Sequence, residues 1–286
     1  MSTMHATAPG TATAESDFTS LWESRRPRRT ALSAGSPVEL SPGKGTPLFL
    51  FPWTEGNIVF VRDFAPSFGN GHPVLGFEAR GLWSREEPFL SVADAADACV
   101  REIRRIQPRG PYLLGGMCGG CQTAYEVAVR LVAAGERVGP LNLVNAARGA
   151  LASGPLLGLC DVYDMRLAAL RRQFGVDDLA ADLDHVMDRM RAGHWIDDAT
   201  PREDFFWRQL VWAAGMYANR RCRLGTLDLP VNVFIARENA HDPEVRWHDV
   251  APRSTVTAVD GVSSVQIMQS PAYLSAMRRL LSQDGS

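Results

Sequence analysis

Two kinds of apolar run alternate along this chain, and their alternation predicts the architecture. Residues 46–51, 73–77, 111–114, 141–144, 230–236 and 254–259 are short and rich in apolar or β-branched side chains, the pattern of strands in a buried, mostly parallel sheet. Between the early strands the period lengthens to that of a helix. Residues 92–106 place Val92, Ala96, Val100 and Ile103 on one side, and a second helical stripe of Tyr125, Val129 and Val132 begins after Gln122. Strand, helix, strand, helix, strand points to the α/β class with a doubly wound sheet. From about 150 to 225 the pattern changes to three helical stretches (162–174, 179–192 and 201–218) with no strand among them, predicted to be a helical lid insertion. A closing helix is expected over 271–281. Residues 1–45, rich in Ala, Thr, Ser, Pro and Gly with a basic cluster at Arg25, Arg26, Arg28 and Arg29, are expected to be a disordered leader before a folded body of 46–286.

The chemistry is concentrated where the third strand meets its helix. Gly115-Gly116-Met117-Cys118-Gly119-Gly120-Cys121 packs small residues into a strand-to-helix turn with Gly-X-nucleophile-X-Gly spacing. That is the nucleophile elbow of an α/β-hydrolase fold: the glycines let the backbone pass closely, and the central residue is raised into the open. Here the central residue is Cys118 rather than serine. The backbone N–H of Gly119, following the nucleophile, is the expected oxyanion donor. A second is expected from Trp53 or Thr54, in the loop after the first strand.

Charge narrows the function further. The 286 residues carry a net charge of -2, which gives no electrostatic case for nucleic acid or an anionic membrane. No run approaches the ~18 apolar residues of a membrane span, and the first 14 residues lack the apolar core of a signal peptide. Five cysteines, odd in number and scattered outside the elbow, suggest no disulfide framework, so a reducing, cytoplasmic setting is expected. Cys118 and Cys121 spell Cys-x-x-Cys, but the elbow explains Cys118, and Cys121 is expected to be a small packing residue. No cysteine–histidine pattern suggests zinc, and no Gly-Lys-Ser/Thr follows the glycines as in a phosphate loop.

From residue 47 to 281 the sequence resembles the thioesterase domains of polyketide and nonribosomal peptide synthetases. The resemblance is carried by Pro47-Leu48-Phe49-Leu50-Phe51-Pro52, Gly76-Phe77-Glu78-Ala79-Arg80-Gly81-Leu82, the run from Gln107 to Gly116, and Ala133-Ala134-Gly135-Glu136. It implies work on acyl groups held as thioesters on the phosphopantetheine arm of an acyl or peptidyl carrier protein, in a secondary-metabolite pathway such as antibiotic biosynthesis, with no bound cofactor. Such domains carry a serine at the elbow, an aspartate just after the next strand, and a histidine in a Gly-Asp-His turn before the last helix. This chain departs at all three places: Cys118 at the elbow, Asn145 at the acid's place, and Ser263 or Ser264 at the imidazole's.

The three departures are chemically coherent. A thiol is partly ionised near neutral pH, and the positive end of a helix favours the thiolate, so attack on a thioester does not require histidine. Without imidazole, a buried aspartate would be an unpaired charge; asparagine avoids it. Water, however, needs a base, so an acyl-Cys118 intermediate should outlast hydrolysis and await another acceptor. Acyl transfer or cyclisation onto a small-molecule acceptor is therefore expected. The alternatives are a pseudo-thioesterase that binds without acyl transfer, and a hydrolase with a relocated base. His241 is the first candidate for that base and His194 a weaker one; Glu55 is a further candidate. Met117, Glu55, Phe206 and Trp207 are expected around the substrate, the last two as lid aromatics.

Overall fold

The computed structural model describes residues 37–282 apart from 53, 70, 84, 147–155, 177–182, 194–195, 241–245 and 262. Seven strands form one sheet: β1 (Val38–Ser41), β2 (Leu48–Phe51), β3 (Val74–Gly76), β4 (Leu113–Met117), β5 (Leu141–Val144), β6 (Val231–Ala236) and β7 (Ser254–Val259). Their spatial order is β1-β3-β2-β4-β5-β6-β7. Every neighbouring pair is parallel except β1 with β3, which is antiparallel. This is the doubly wound, mostly parallel α/β-hydrolase sheet the apolar runs predicted.

The runs lack alternation because both faces of the sheet are covered. In β2, Phe49 and Phe51 join one core layer while Leu48 and Leu50 join the other. In β6, Val231, Val233 and Ile235 face the first layer, and Phe234 and Ala236 the second. The first layer is closed by helices α2 (Val92–Ile106) and α3 (Gly120–Ala133), the second by the short α1 (Ala65–Gly69) and by α8 (Pro271–Ser282). Helix α2 starts where its sequence says it should: Ser91 Oγ accepts from the N–H groups of Ala93 and Asp94 at 3.1 and 3.4 Å.

A third core lies above the sheet's C-terminal edge, built by α4 (Leu159–Gln173), α5 (Asp184–Ala192) and α6 (Arg202–Arg221). These three helices are the expected insertion. α7 (Ser264–Met268) is a single turn before α8. Among the described residues no helix is long and apolar enough to cross a membrane.

One boundary needs correction. Val38–Ser41, placed in the leader by composition, is an edge strand of the sheet, with Leu40 buried against Gly76. Residues 1–36 lie outside the described residues.

Candidate active site

The elbow is built as its spacing requires. β4 ends at Met117, and Cys118 takes a left-handed backbone conformation with φ 49°. Its N–H donates to Val144 O at 2.8 Å, and its carbonyl accepts from Cys121 N–H at 3.1 Å, so the bend is tied to β5 on one side and to α3 on the other. Two glycines make room. A Cβ on Gly116 would stand 2.8 Å from Cys121 Cα, and one on Gly120 would stand 2.1 Å from Pro52 O. A φ of this sign costs a non-glycine residue roughly 1 kcal/mol or more, strain typical of functional positions.

The Cys118 thiol is half-buried, with Thr54 Oγ1 at 3.4 Å from its sulfur. Gly119 is held from two directions. A Cβ there would lie 2.8 Å from Thr54 Oγ1 and 2.9 Å from Asn219 Nδ2, and the Asn219 amide donates to Gly119 O at 3.1 Å. Helix α6 therefore touches the turn directly. Asn219 was missed from sequence because it sits one residue beyond the predicted helix end, and a polar residue on a helix carries no mark of what its amide will reach. Thr54 was expected to offer its backbone; its hydroxyl against the thiol is additional. Trp53 lies outside the described residues.

The other expected site residues fall into three groups. Asn145 does stand at the end of β5, next to the elbow, and also adopts a left-handed conformation, φ 51°, with its N–H donating to Phe234 O at 2.7 Å. Asparagine tolerates that conformation far better than β-branched residues do. Asn145→Val should therefore destabilise the fold by about 2 kcal/mol while Asn145→Gly stays within about 1 kcal/mol of wild type in a urea titration. Equal losses would show that the side chain, not the backbone angle, is what position 145 selects for.

Ser263 and Ser264 are structural. Ser263 Oγ accepts from Gln266 N–H at 3.2 Å and Gln266 Oε1 accepts from Ser263 N–H at 3.1 Å, a capping box on α7. Ser264 is buried in the first turn of that helix. His241 and His194 lie outside the described residues. Of the described histidines, His72 bonds Thr46 O, before β2, at 3.0 Å, and His248 bonds Ser254, at the start of β7, at 3.2 Å. Both therefore mark the N-terminal edge of the parallel sheet, away from the elbow. His185 is on α5.

The pocket expectations require correction. Met117, Phe206 and Trp207 are core side chains, 1%, 6% and 0% exposed. Met117 points into the layer under α8, and Trp207 Nε1 donates to Gly81 O at 2.6 Å. Glu55 is engaged by Arg166 of α4 at 3.6 Å, and the Arg166 guanidinium also lies 4.7 Å above the Trp212 ring. A cavity of about 400 Å³ opens instead between the β3–α2 loop, α2, the first turn of α3 and α6. Thr54, Gly119, Gly120 and Asn219 line it beside the elbow; Phe51, Phe77, Phe89, Val92 and Val211 supply apolar wall, and Glu78, Arg80, Glu86, Arg101 and Glu102 are its charged groups.

Burial separates the thiols. It pushes the Cys99 thiol up to about 12 and that of Cys222 up to about 11, and raises Cys121 well above the ordinary thiol value. At pH 8 a thiol at 12 is ionised in roughly one molecule in ten thousand, and one at 11 in roughly one in a thousand. Only the thiolate alkylates. Iodoacetamide at pH 8 should accordingly modify Cys118 well ahead of Cys99, Cys121 and Cys222, read by peptide mass. Raising the pH should bring in Cys222 before Cys99. Modification of Cys99, Cys121 or Cys222 as fast as that of Cys118 would sink this ranking. Among the described residues no three His, Cys, Asp or Glu side chains cluster as metal ligands.

A sequence model of the thioesterase domain matches residues 46–150, which hold β2 through the elbow helix and the end of β5. Those residues, fewer than half of the chain, are similar to the thioesterase domain family. Among curated proteins, the nonribosomal peptide synthetase btyA of Aspergillus terreus is 42% identical over 95 residues, 33% of this chain and 10% of that protein. Indigoidine synthase of Dickeya dadantii is 31% identical over 141 residues, 49% of this chain and 9% of that protein. The stretch matched is thus about a tenth of these relatives' own length. Among solved structures, the type II thioesterase BorB from the borrelidin biosynthetic cluster superposes with TM-score 0.64 at 18% identity, covering 88% of this chain and 100% of that one. The NocB thioesterase domain, in covalent complex with a fluorophosphonate nocardicin G analogue, superposes with TM-score 0.60 at 19% identity, covering 85% and 95%. At these identities the superpositions speak for the fold, and they extend it over the part of the chain the family match leaves uncovered.

Proposed function

We propose that this thioesterase-family protein takes an acyl group from the phosphopantetheine thioester of a carrier protein onto Cys118 and passes it to an acceptor other than water, within secondary-metabolite biosynthesis. The observation that carries the reading is the company Cys118 keeps. It occupies the raised position of the elbow with a hydroxyl beside it, while the place of the acid is an asparagine in a left-handed bend and the place of the imidazole is a helix cap.

In the first step the Cys118 thiolate attacks the thioester carbonyl carbon, forming the new C–S bond. The bond to the pantetheine sulfur breaks, and that thiol leaves carrying the proton Cys118 gave up. Thioester is exchanged for thioester, so the step needs no driving force beyond binding. The developing oxyanion is received by the Gly119 N–H at the start of α3, with the Thr54 N–H as its second donor. In the second step an amine, thiol or carbon nucleophile attacks the same carbonyl, and the proton it loses returns to the Cys118 sulfur. A nucleophile within the acyl chain gives a ring; a separate one gives transfer. Water is the poorest of these acceptors because it arrives un-ionised and needs a base.

The test is intact-protein mass after incubation with a set of acyl-pantetheine thioesters. A persistent acyl adduct supports the reading. Free acid released quickly with no adduct replaces it with hydrolysis by a relocated base, for which His241→Ala is the next variant. Neither adduct nor turnover across the set replaces it with a binding protein that performs no acyl transfer.

A further inference from the structure

Glu78 is an unusual member of the cavity wall. It follows β3 directly, between Phe77 and Ala79, in a cavity with Phe51, Phe77, Phe89 and Val92 among its walls; the cavity's other carboxylates, Glu86 and Glu102, are paired with Arg80 and Arg105. Its carboxyl is half-buried and accepts two hydrogen bonds, from Trp83 Nε1 at 2.6 Å and from Ile58 N–H at 3.4 Å. Among the described residues no cation forms an ion pair with it. The nearby cations are committed elsewhere: Arg62 donates to Glu39 O at 3.2 Å, and Arg80 faces Glu86 at 3.7 Å while its guanidinium covers the Phe89 ring at 4.9 Å. A carboxylate drawn partly out of water, with two neutral donors and only the unpaired charge of Arg62 acting on it from a distance, is costly to keep charged, and its pKa is accordingly raised, chiefly by that burial. A ligand cation in the cavity would remove the cost.

Resting on the acyl-transfer reading of Cys118, we propose that Glu78 selects acyl groups that carry a protonated amine, making the substrate class aminoacyl or amine-bearing peptidyl thioesters. Gly119 and Thr54 line the same cavity as Glu78, and Thr54 Oγ1 stands 3.4 Å from the Cys118 sulfur. An acyl chain lying in it would have its carbonyl at the elbow and its amine at the carboxylate. The two hydrogen bonds fix the carboxyl against the loop, so recognition requires little further ordering.

The test uses the full chain carrying Cys118→Ala, which binds but cannot be acylated. The ligands are acyl-pantetheine amides, with amide in place of thioester, bearing an amine at one carbon from C2 to C8, each compared with its hydroxyl counterpart by calorimetry. At least one amine is expected to bind roughly tenfold or more tighter than its hydroxyl partner, the worth of a charge-assisted hydrogen bond in a partly dry site. That preference should vanish with Glu78→Gln and survive in part with Glu78→Asp, both checked for native circular dichroism. If no amine in the series is preferred, or if the preference persists in Glu78→Gln, the proposal is wrong. Should Glu78→Gln not fold, Glu86→Gln and Glu102→Gln decide: both must leave the amine preference intact, and loss of it in either overturns the proposal. Because Cys118 is absent throughout, a preference seen here stands even if the wild type never forms an acyl adduct, and an adduct without a preference removes Glu78 alone.

Discussion

Cys118→Ala is expected to lower acyl transfer from pantetheine thioesters by about 10⁴-fold or more and to abolish the mass adduct, the scale on which covalent enzymes lose activity with their nucleophile. The more telling variant is Cys118→Ser. Serine is the usual nucleophile of the thioesterase domains this sequence resembles and is nearly the same size, so the elbow, with its φ of 49° and its bonds to Val144 and Cys121, should accept it. Yet a hydroxyl is almost wholly protonated at neutral pH and becomes a nucleophile only beside a base. Of Ser263 and Ser264, the two residues expected at the imidazole's place, the first closes the Ser263–Gln266 cap and the second is buried. Cys118→Ser should therefore lie within about tenfold of Cys118→Ala. Full activity in Cys118→Ser would mean that a base does reach the elbow, and the acceptor-waiting mechanism would have to be abandoned for hydrolysis.

The largest effect on stability is expected from Gly120→Ala. Its Cβ would stand 2.1 Å from Pro52 O and 2.8 Å from the Phe51 carbonyl carbon. Those are backbone atoms at the end of β2, which pairs in register with β4, Phe51 against Gly116. Neither side can yield without moving a strand in the centre of the sheet. A loss of about 3 kcal/mol or more is expected, at the upper end for overpacking, and would be read as a lowered urea midpoint. Gly225→Ala serves as the control, since a Cβ there meets nothing within 4 Å; it should change stability by less than about 1 kcal/mol. If Gly120→Ala unfolds at the wild-type midpoint, the close passage of α3 over β2 is not what holds the elbow.

The sheet was legible in sequence because burial on both faces leaves an unmistakable composition. The strand at 141–144, the helix at 92–106 and the strand at 254–259 have the bounds expected from their apolar pattern and, for the helix, its Ser91 cap. β1 was not legible, because an edge strand of four residues, Val-Glu-Leu-Ser, buries only part of itself and sits among Pro, Gly and Ser. At the site, spacing was enough to find Cys118, since Gly-X-Cys-X-Gly specifies a local conformation. Phe206 and Trp207 show the limit of such reasoning. An aromatic face on a helix announces that something apolar will cover it, but the covering here is the core of the insertion itself, and periodicity does not distinguish a neighbouring helix from a ligand. Glu78 and Asn219 depend on which segments meet in space, which no local pattern records.

The cap at Ser263 has a consequence for how such a chain can change over time. Its hydroxyl and the Gln266 amide close the start of α7 reciprocally, and the next residue, Ser264, is already buried. A mutation that introduced histidine at 263 would forfeit the cap, about 1 kcal/mol, before any catalytic advantage appeared, and the imidazole would still find asparagine where its acid partner belongs. Histidine at 264 would have to displace packed neighbours. Neither serine can thus become histidine without first passing through a weaker protein. The departure from the triad behaves as a ratchet, held in place by an ordinary helix cap.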